Sequence, residues 1–93
     1  MIKHIVCAKV ENEEDRVFLI DLFNRMPEEM DFLHNFVAGR DVLFRKTSFD
    51  IGFVCDVDDW DALQRYIAHP FHNYVGDELR ARRQGVAVLD LEF

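Results

Sequence analysis

The segment from Tyr66 to His72 carries the side chains of this chain that are best suited to proton transfer. It places one phenol and two imidazoles, those of His69 and His72, around Pro70. Phenol and imidazole groups move protons near neutral pH, so the segment predicts a site of acid-base chemistry. The alternative is that Pro70 only separates two helices, while the histidines cap or pack.

Pro70 fixes where the helices of this segment begin and end. The residue before a proline is pushed out of the helical region, whereas proline suits the first position of a helix. One helix is therefore predicted to end near His69 and another to begin at Pro70. His72 would lie in the first turn of the second helix, where the partial positive charge disfavours an imidazolium. We expect a neutral His72 that accepts a proton.

The composition favours one small globular domain, residues 1–93. Hydrophobic residues make up 49% of the 93 residues, and nine are phenylalanine. A core of this size is near the lower limit for independent stability, so self-association is expected. The net charge of −7 argues against nucleic acid or an anionic membrane as a partner. The basic cluster Arg80, Arg82 and Arg83 is interpreted as the solvated end of a helix.

The cysteines and the hydropathy pattern bear on compartment and metal content. Cys7 and Cys55 each lie in an apolar run and are expected to be reduced core residues. No signal-peptide pattern and no bilayer-length apolar stretch is found, so a cytoplasmic protein is expected. The Cys spacing does not predict a zinc site, and no cofactor is expected. A metal shared by His69 and His72 is a weaker alternative.

The remaining pattern predicts an α+β fold with the order β-α-β-β-α-β, which is that of the ferredoxin-like motif with a four-stranded antiparallel sheet. Alternation of apolar residues predicts strands at residues 1–10, 32–40, 49–57 and 86–93. A first helix is expected to follow the N-cap Asn12 and to stop at Pro27. A second should begin at Asp58 or Asp59, with Tyr66 facing the core, and a third piece should run over residues 70–83, with Gly85 as its C-terminal cap.

Both faces of the predicted sheet carry apolar residues. The odd-numbered residues of the third and last strands are strongly apolar, while the even-numbered ones include Val54, Val86 and Val88. Two helices cover only one face of a four-stranded sheet. The other face is most simply covered by the same face of a second copy, so the sequence predicts a homodimer joined sheet face to sheet face.

Three parts of the sequence resemble the stress-responsive A/B barrel (Dabb) family, whose members form dimeric α+β barrels. They are the opening Ile2-Lys3-His4-Ile5-Val6, the Tyr66-x-x-His69-Pro70-x-His72 run and the closing Val88-Leu89-Asp90. The resemblance covers nearly the whole chain. Most members of the family have no established activity, so it implies the fold more than the function.

The chain is also similar to polyketide cyclases of the olivetolic acid cyclase type, which close a linear tetraketide thioester by aldol condensation. This resemblance implies His72 as the base and Tyr66 as the group that binds the carbonyl oxygen. It implies that His4, Asp90 and His69 contribute to substrate binding, with no cofactor. One departure is the first helix, where a second tyrosine of the cyclases is replaced by residues around Phe18, Leu19 and Phe23.

Three functions remain open at the level of sequence. The first is a cofactor-free proton-transfer enzyme acting on a small apolar carbonyl compound. The second is a non-catalytic dimeric barrel, with or without a small hydrophobic ligand. The third is a cofactor-free monooxygenase. A cavity beside His72 and Tyr66 would favour a ligand site. The same space would instead be closed if it were filled by Phe18, Phe23, Phe36 and Phe71.

Overall fold

A computed structural model describes all 93 residues of the chain, and it has the predicted ferredoxin-like architecture. The elements are β1 (Ile2–Lys9), α1 (Glu13–Glu29), β2 (His34–Arg40), β3 (Ile51–Val57), α2 (Trp60–Ala68), α3 (Pro70–Arg82) and β4 (Gly85–Glu92). The four strands form one antiparallel sheet in the order β2-β3-β1-β4. None of the three helices combines the length and the apolar character needed to cross a membrane.

One predicted helix end and one predicted helix cap are wrong. Helix α1 continues through Pro27 to Glu29, and the amide of Met30 closes it on the Met26 carbonyl. A proline three residues from a helix end removes a single hydrogen bond, while burial of Met26 and Met30 favours the last turn. Gly85 does not cap α3. The cap is Arg83, in an extended conformation, and Gly85 is the first residue of β4.

The strand register determines whether the even-numbered or the odd-numbered residues of each strand lie on a given face of the sheet. His4 of β1 lies opposite Cys55 of β3 on one side and Asp90 of β4 on the other. The helix-facing side therefore takes the even-numbered residues of β1 and β4 but the odd-numbered residues of β3. The core forms between this side and the helices, and it includes Phe23 and Phe53, whose ring centroids are 4.9 Å apart.

The opposite face of the sheet, here called the outer face, carries no helix. On β4 it presents the odd-numbered residues, of which Leu89 and Leu91 are about half exposed. On the helix side, α1 packs on β2 and β3, so the helix-facing side of β4 is also left partly open. Val86 and Val88 remain exposed there. This uncovered edge is where the candidate site lies.

Candidate functional site

The break between α2 and α3 positions the proton-transfer residues. Asp59 caps α2 by accepting a hydrogen bond from the Ala62 amide at 2.9 Å. His69 ends α2 in an extended conformation and is also the N-cap of α3, where its Nδ1 accepts from the Phe71 amide at 3.0 Å. Pro70 is the first residue of α3, as the sequence predicts. His72 therefore lies in the first turn of α3.

A cavity of about 310 Å³ lies between α2, α3 and the β4 edge of the sheet. This volume is in the lower part of the range that small-molecule sites occupy. Its lining consists of His4, Val6, Phe53, Leu63, Tyr66, Ile67, His72, Val75, Gly76, Leu79, Arg80, Arg83, Val86, Val88 and Asp90.

Three aromatic rings form a row along the cavity. The ring of Tyr66 makes edge-to-face contacts with His4 on one side, at 4.8 Å between centroids, and with His72 on the other, at 4.6 Å. Behind this row, Nδ1 of His4 is 2.5 Å from an oxygen of Asp90, from the neighbouring strand. The structure thus brings together four of the five residues predicted for the site.

His69, the fifth predicted residue, does not line the cavity. Its Nδ1 is occupied by the Phe71 amide, so its evident role is to cap α3 and hold the start of that helix. The structure also contains no group of three or more His, Cys, Asp or Glu side chains placed to hold a metal ion.

Burial sets the protonation of the two central groups. It lowers the pKa of His72, and the nearby His4 adds to this lowering, whereas Asn73 and the Ile67 main chain oppose it. Burial raises the pKa of Tyr66, which is only 2% exposed. A neutral imidazole and a protonated phenol therefore lie side by side at neutral pH. Burial also raises the pKa of the Cys55 thiol to about 12, which makes it a poor nucleophile.

His72 has an unusual hydrogen-bonding state. Its Nδ1 is the one buried side-chain polar atom in the chain that lacks a partner of good geometry. Unpaired polar atoms in protein interiors are rare, because each costs the solvation that it had in water. An unpaired atom on a ring that lines a cavity marks His72 as a candidate functional residue.

The phenylalanines do not fill the cavity. Phe23 is buried in the core, and Phe36 stacks on Phe53. Phe18 lies under the guanidinium of Arg82, and Phe71 lies under that of Arg25. Only Phe53 of these rings reaches the cavity lining. The space beside His72 and Tyr66 is therefore open to a ligand.

Sequence reasoning missed the part of the cavity formed by the far end of α3. Gly76, Arg80 and Arg83 follow His72 at intervals of three and four residues, so they share its side of the helix. This spacing is a signal that the sequence contains, but the basic character of the cluster Arg80, Arg82 and Arg83 predicts a solvated helix end instead. Two of them, Arg80 and Arg83, line the cavity.

Comparison with known proteins supports one family. The sequence model of the Stress Responsive A/B Barrel Domain (Dabb) matches residues 2–93. An uncharacterised protein of Streptomyces coelicolor is 30% identical over 77 residues, which are 77% of this chain and 79% of that protein.

Solved structures show the same fold. A dimeric ferredoxin-like protein of unknown function from Jannaschia sp. CCS1 has a TM-score of 0.82 at 27% identity, covering 99% of this chain and 98% of that one. The hydroxynitrile lyase of Passiflora edulis has a TM-score of 0.85 over 97% of this chain and 90% of its own, but at 12% identity it shows the fold alone. With the family match spanning residues 2–93, the chain belongs to the stress-responsive A/B barrel domain family.

Proposed function

We propose that the cavity binds a small apolar carbonyl compound and catalyses proton transfer next to the carbonyl group, without a cofactor. The observation that carries this proposal is the contact between the rings of His72 and Tyr66 in the wall of an open cavity. A base and a hydrogen-bond donor in contact can act on neighbouring atoms of one substrate.

His72 is assigned the role of base. Its lowered pKa keeps the imidazole neutral near pH 7, so it has a lone pair with which to take a proton. We place the ring proton on Nδ1 and the lone pair on Nε2. Nε2 then removes a proton from the carbon beside the carbonyl, and the electron pair of that C–H bond moves into an enolate.

Tyr66 is assigned the role of oxyanion donor. Its raised pKa keeps the phenol protonated, so its O–H donates a hydrogen bond to the carbonyl oxygen as negative charge develops there. Tyr66 also contacts the ring of His4, which is hydrogen-bonded to Asp90. An enolate formed in this way can attack a second carbonyl of the same molecule, which is the aldol chemistry that cyclisation of a polyketide requires.

Hydrogen exchange tests the proton-transfer step without knowledge of the natural substrate. Phenylacetone, a neutral ketone that fits the cavity volume, is incubated with the protein in D₂O, and loss of its benzylic CH₂ signal is followed by proton NMR. His72→Ala is expected to reduce the protein-dependent rate by roughly 10²-fold or more, because a positioned base contributes at least this much. Tyr66→Phe is expected to reduce it about tenfold or more.

Matched variants separate chemistry from folding. Tyr74→Phe makes the same change at an exposed tyrosine outside the cavity, and His34→Ala does so at an exposed histidine paired with Asp58. Both should keep the wild-type rate. The assignment of the base is wrong if a folded His72→Ala variant, verified by circular dichroism, exchanges as fast as the wild type.

We also propose that the protein is a homodimer joined through the outer face of the sheet. That face exposes Val37 on β2 and Leu89 and Leu91 on β4, and no element of the chain covers it. Exposed apolar patches of this kind mark association surfaces. The structural neighbour from Jannaschia is described as dimeric, which supports the same assembly here.

A further inference from the structure

We infer that the ligand of this cavity carries a carboxylate, which Arg83 binds at the cavity rim with assistance from Arg80. This inference rests on the proposed function, because it names the class of carbonyl compound that the site would accept, a keto acid with an apolar body. It assigns a recognition role to residues that the catalytic proposal does not use.

Arg83 is the only partly buried arginine that the fold leaves without a partner. It is partly buried, as are Arg16 and Arg82. Those two form ion pairs with acidic side chains, whereas the Arg83 guanidinium makes no ion pair, side-chain hydrogen bond or contact with an aromatic ring. An arginine held in a cavity wall with all five donors free is suited to bind a carboxylate through two hydrogen bonds.

Arg80 lies beside Arg83 on the same cavity. Its guanidinium lies over Gly76, where a Cβ atom would be 3.5 Å from Nη1, an ordinary van der Waals contact. Its Nη2 is paired with Asp77 at 2.5 Å, and that carboxylate offsets much of its charge. Arg80 can therefore donate a hydrogen bond to an anion, but it adds little net positive charge to the site.

The charges around the cavity indicate a monoanion. Asp90 is hydrogen-bonded to His4 and Asp77 is paired with Arg80, so Arg83 is the charged group of the cavity that has no partner. The chain as a whole has a net charge of −7, which repels anions that lack a specific site. A carboxylate with one negative charge matches this site better than a phosphate with two.

The rest of the lining fits the apolar part of such a ligand. Leu63, Ile67, Val86 and Val88 present aliphatic surface in the same cavity as the arginines and the aromatic row. A ligand with its carboxylate at Arg83 thus has apolar contacts for its body and Tyr66 and His72 for its ketone.

Two ligands that differ only in the carboxylate provide the test. Phenylpyruvate and phenylacetone share the ring, the methylene and the ketone, and the carboxylate of one replaces the methyl group of the other. Their affinities are measured by NMR titration for the wild type, Arg83→Gln and Arg80→Gln. Arg45→Gln is the control, since it removes the same charge from an exposed loop residue outside the cavity.

We expect the wild type to bind phenylpyruvate at least about tenfold more tightly than phenylacetone, the size of one charge-assisted hydrogen-bonding pair. Arg83→Gln should abolish this difference and leave phenylacetone binding unchanged. Arg80→Gln should reduce it in part, and Arg45→Gln should preserve it.

The inference fails if the wild type binds the two ligands equally or binds neither, or if Arg83→Gln behaves like Arg45→Gln. Tighter binding of phenyl phosphate than of phenylpyruvate would also overturn it, because the site would then be built for a dianion. The exchange assay on phenylacetone separates this result from the proposed function. Absence of exchange together with Arg83-dependent affinity would reject the catalysis and retain the carboxylate site.

Discussion

At the scale of single residues, the site depends on the environment of one imidazole. His72 is a common residue type in an uncommon position, since it is partly buried, its Nδ1 has no partner of good geometry and it contacts a phenol. The packing that buries the His72 ring also forms the wall of the cavity, so the ring is desolvated and still faces a ligand.

The lowered pKa of His72 predicts how stability depends on pH. Above the ordinary value of 6.5, His72 is neutral in both folded and unfolded chains and has no effect. As the pH falls through that value, the unfolded chain binds a proton that the folded chain does not, so the free energy of unfolding decreases. The decrease ends only below the folded pKa. Urea unfolding between about pH 5 and about pH 8 measures it.

His72→Gln is the comparison for this measurement. The difference in unfolding free energy between the wild type and His72→Gln should be constant above about pH 7 and should shift against the wild type below about pH 6.5. Other groups titrate equally in both proteins and cancel. A difference that stays constant over the whole range would show that His72 titrates as it does in an unfolded chain.

At the scale of elements, the break between α2 and α3 determines where His72 lies. His69 closes the first helix with its main chain, and its side chain caps the second. The predicted substrate contact of His69 and its observed capping role lead to different results on substitution.

Replacement of His69 separates capping from binding. His69→Ala removes the acceptor for the Phe71 amide and should lower the free energy of unfolding by about 1 kcal/mol. His69→Asn supplies another cap oxygen and should restore most of this loss. If His69 only caps, both variants should bind phenylacetone within about twofold of the wild type. A comparable loss of affinity in both, without a difference in stability, would instead indicate a substrate contact.

The pairing register of the strands provides information that the alternation of apolar residues in the sequence does not. Alternation in each strand separates two sets of residues, but it does not say which set of one strand shares a face with which set of the next. Pairing of His4 with both Cys55 and Asp90 resolves this. It brings His4 to Asp90 and assigns Val88 to the cavity and Leu89 to the outer face.

At the scale of the whole molecule, a domain of 93 residues has an uncovered apolar sheet face. Small domains bury a limited fraction of their surface, so association through such a face contributes to their stability. The helix side of the sheet remains available for the cavity.

A charge on the outer face should separate the proposed dimer. Leu89→Glu places an unpaired carboxylate at the centre of the expected interface, which should shift the protein to a monomer at micromolar concentration. Val88→Glu is the matched control, because the two residues are adjacent, are equally exposed at 55% and point to opposite faces. Sedimentation velocity distinguishes the outcomes. A Leu89→Glu dimer, or a Val88→Glu monomer, would contradict a sheet-to-sheet interface.

The order of the elements follows from local signals in the sequence, because strand alternation, helix caps and Pro70 each act over a few residues. The sequence also identifies four residues that line the cavity. His72 and Tyr66 are close along the chain, and His4 and Asp90 came from the family resemblance. The predicted end of α1 at Pro27 is wrong because burial of Met26 and Met30 outweighs the local helix-breaking effect of the proline.

Whether these residues share a site, and which other residues belong to it, depends on how the elements pack together. The cavity exists because α1 covers β2 and β3 but leaves the β4 edge open, which no single segment specifies. Arg83 is significant because it lines the cavity without an ion pair, whereas Arg80 and Arg82 are paired with acidic side chains, and this difference is a property of packing. Contacts between residues that are distant in sequence depend on register and helix packing, and these are settled by the free energy of the whole fold.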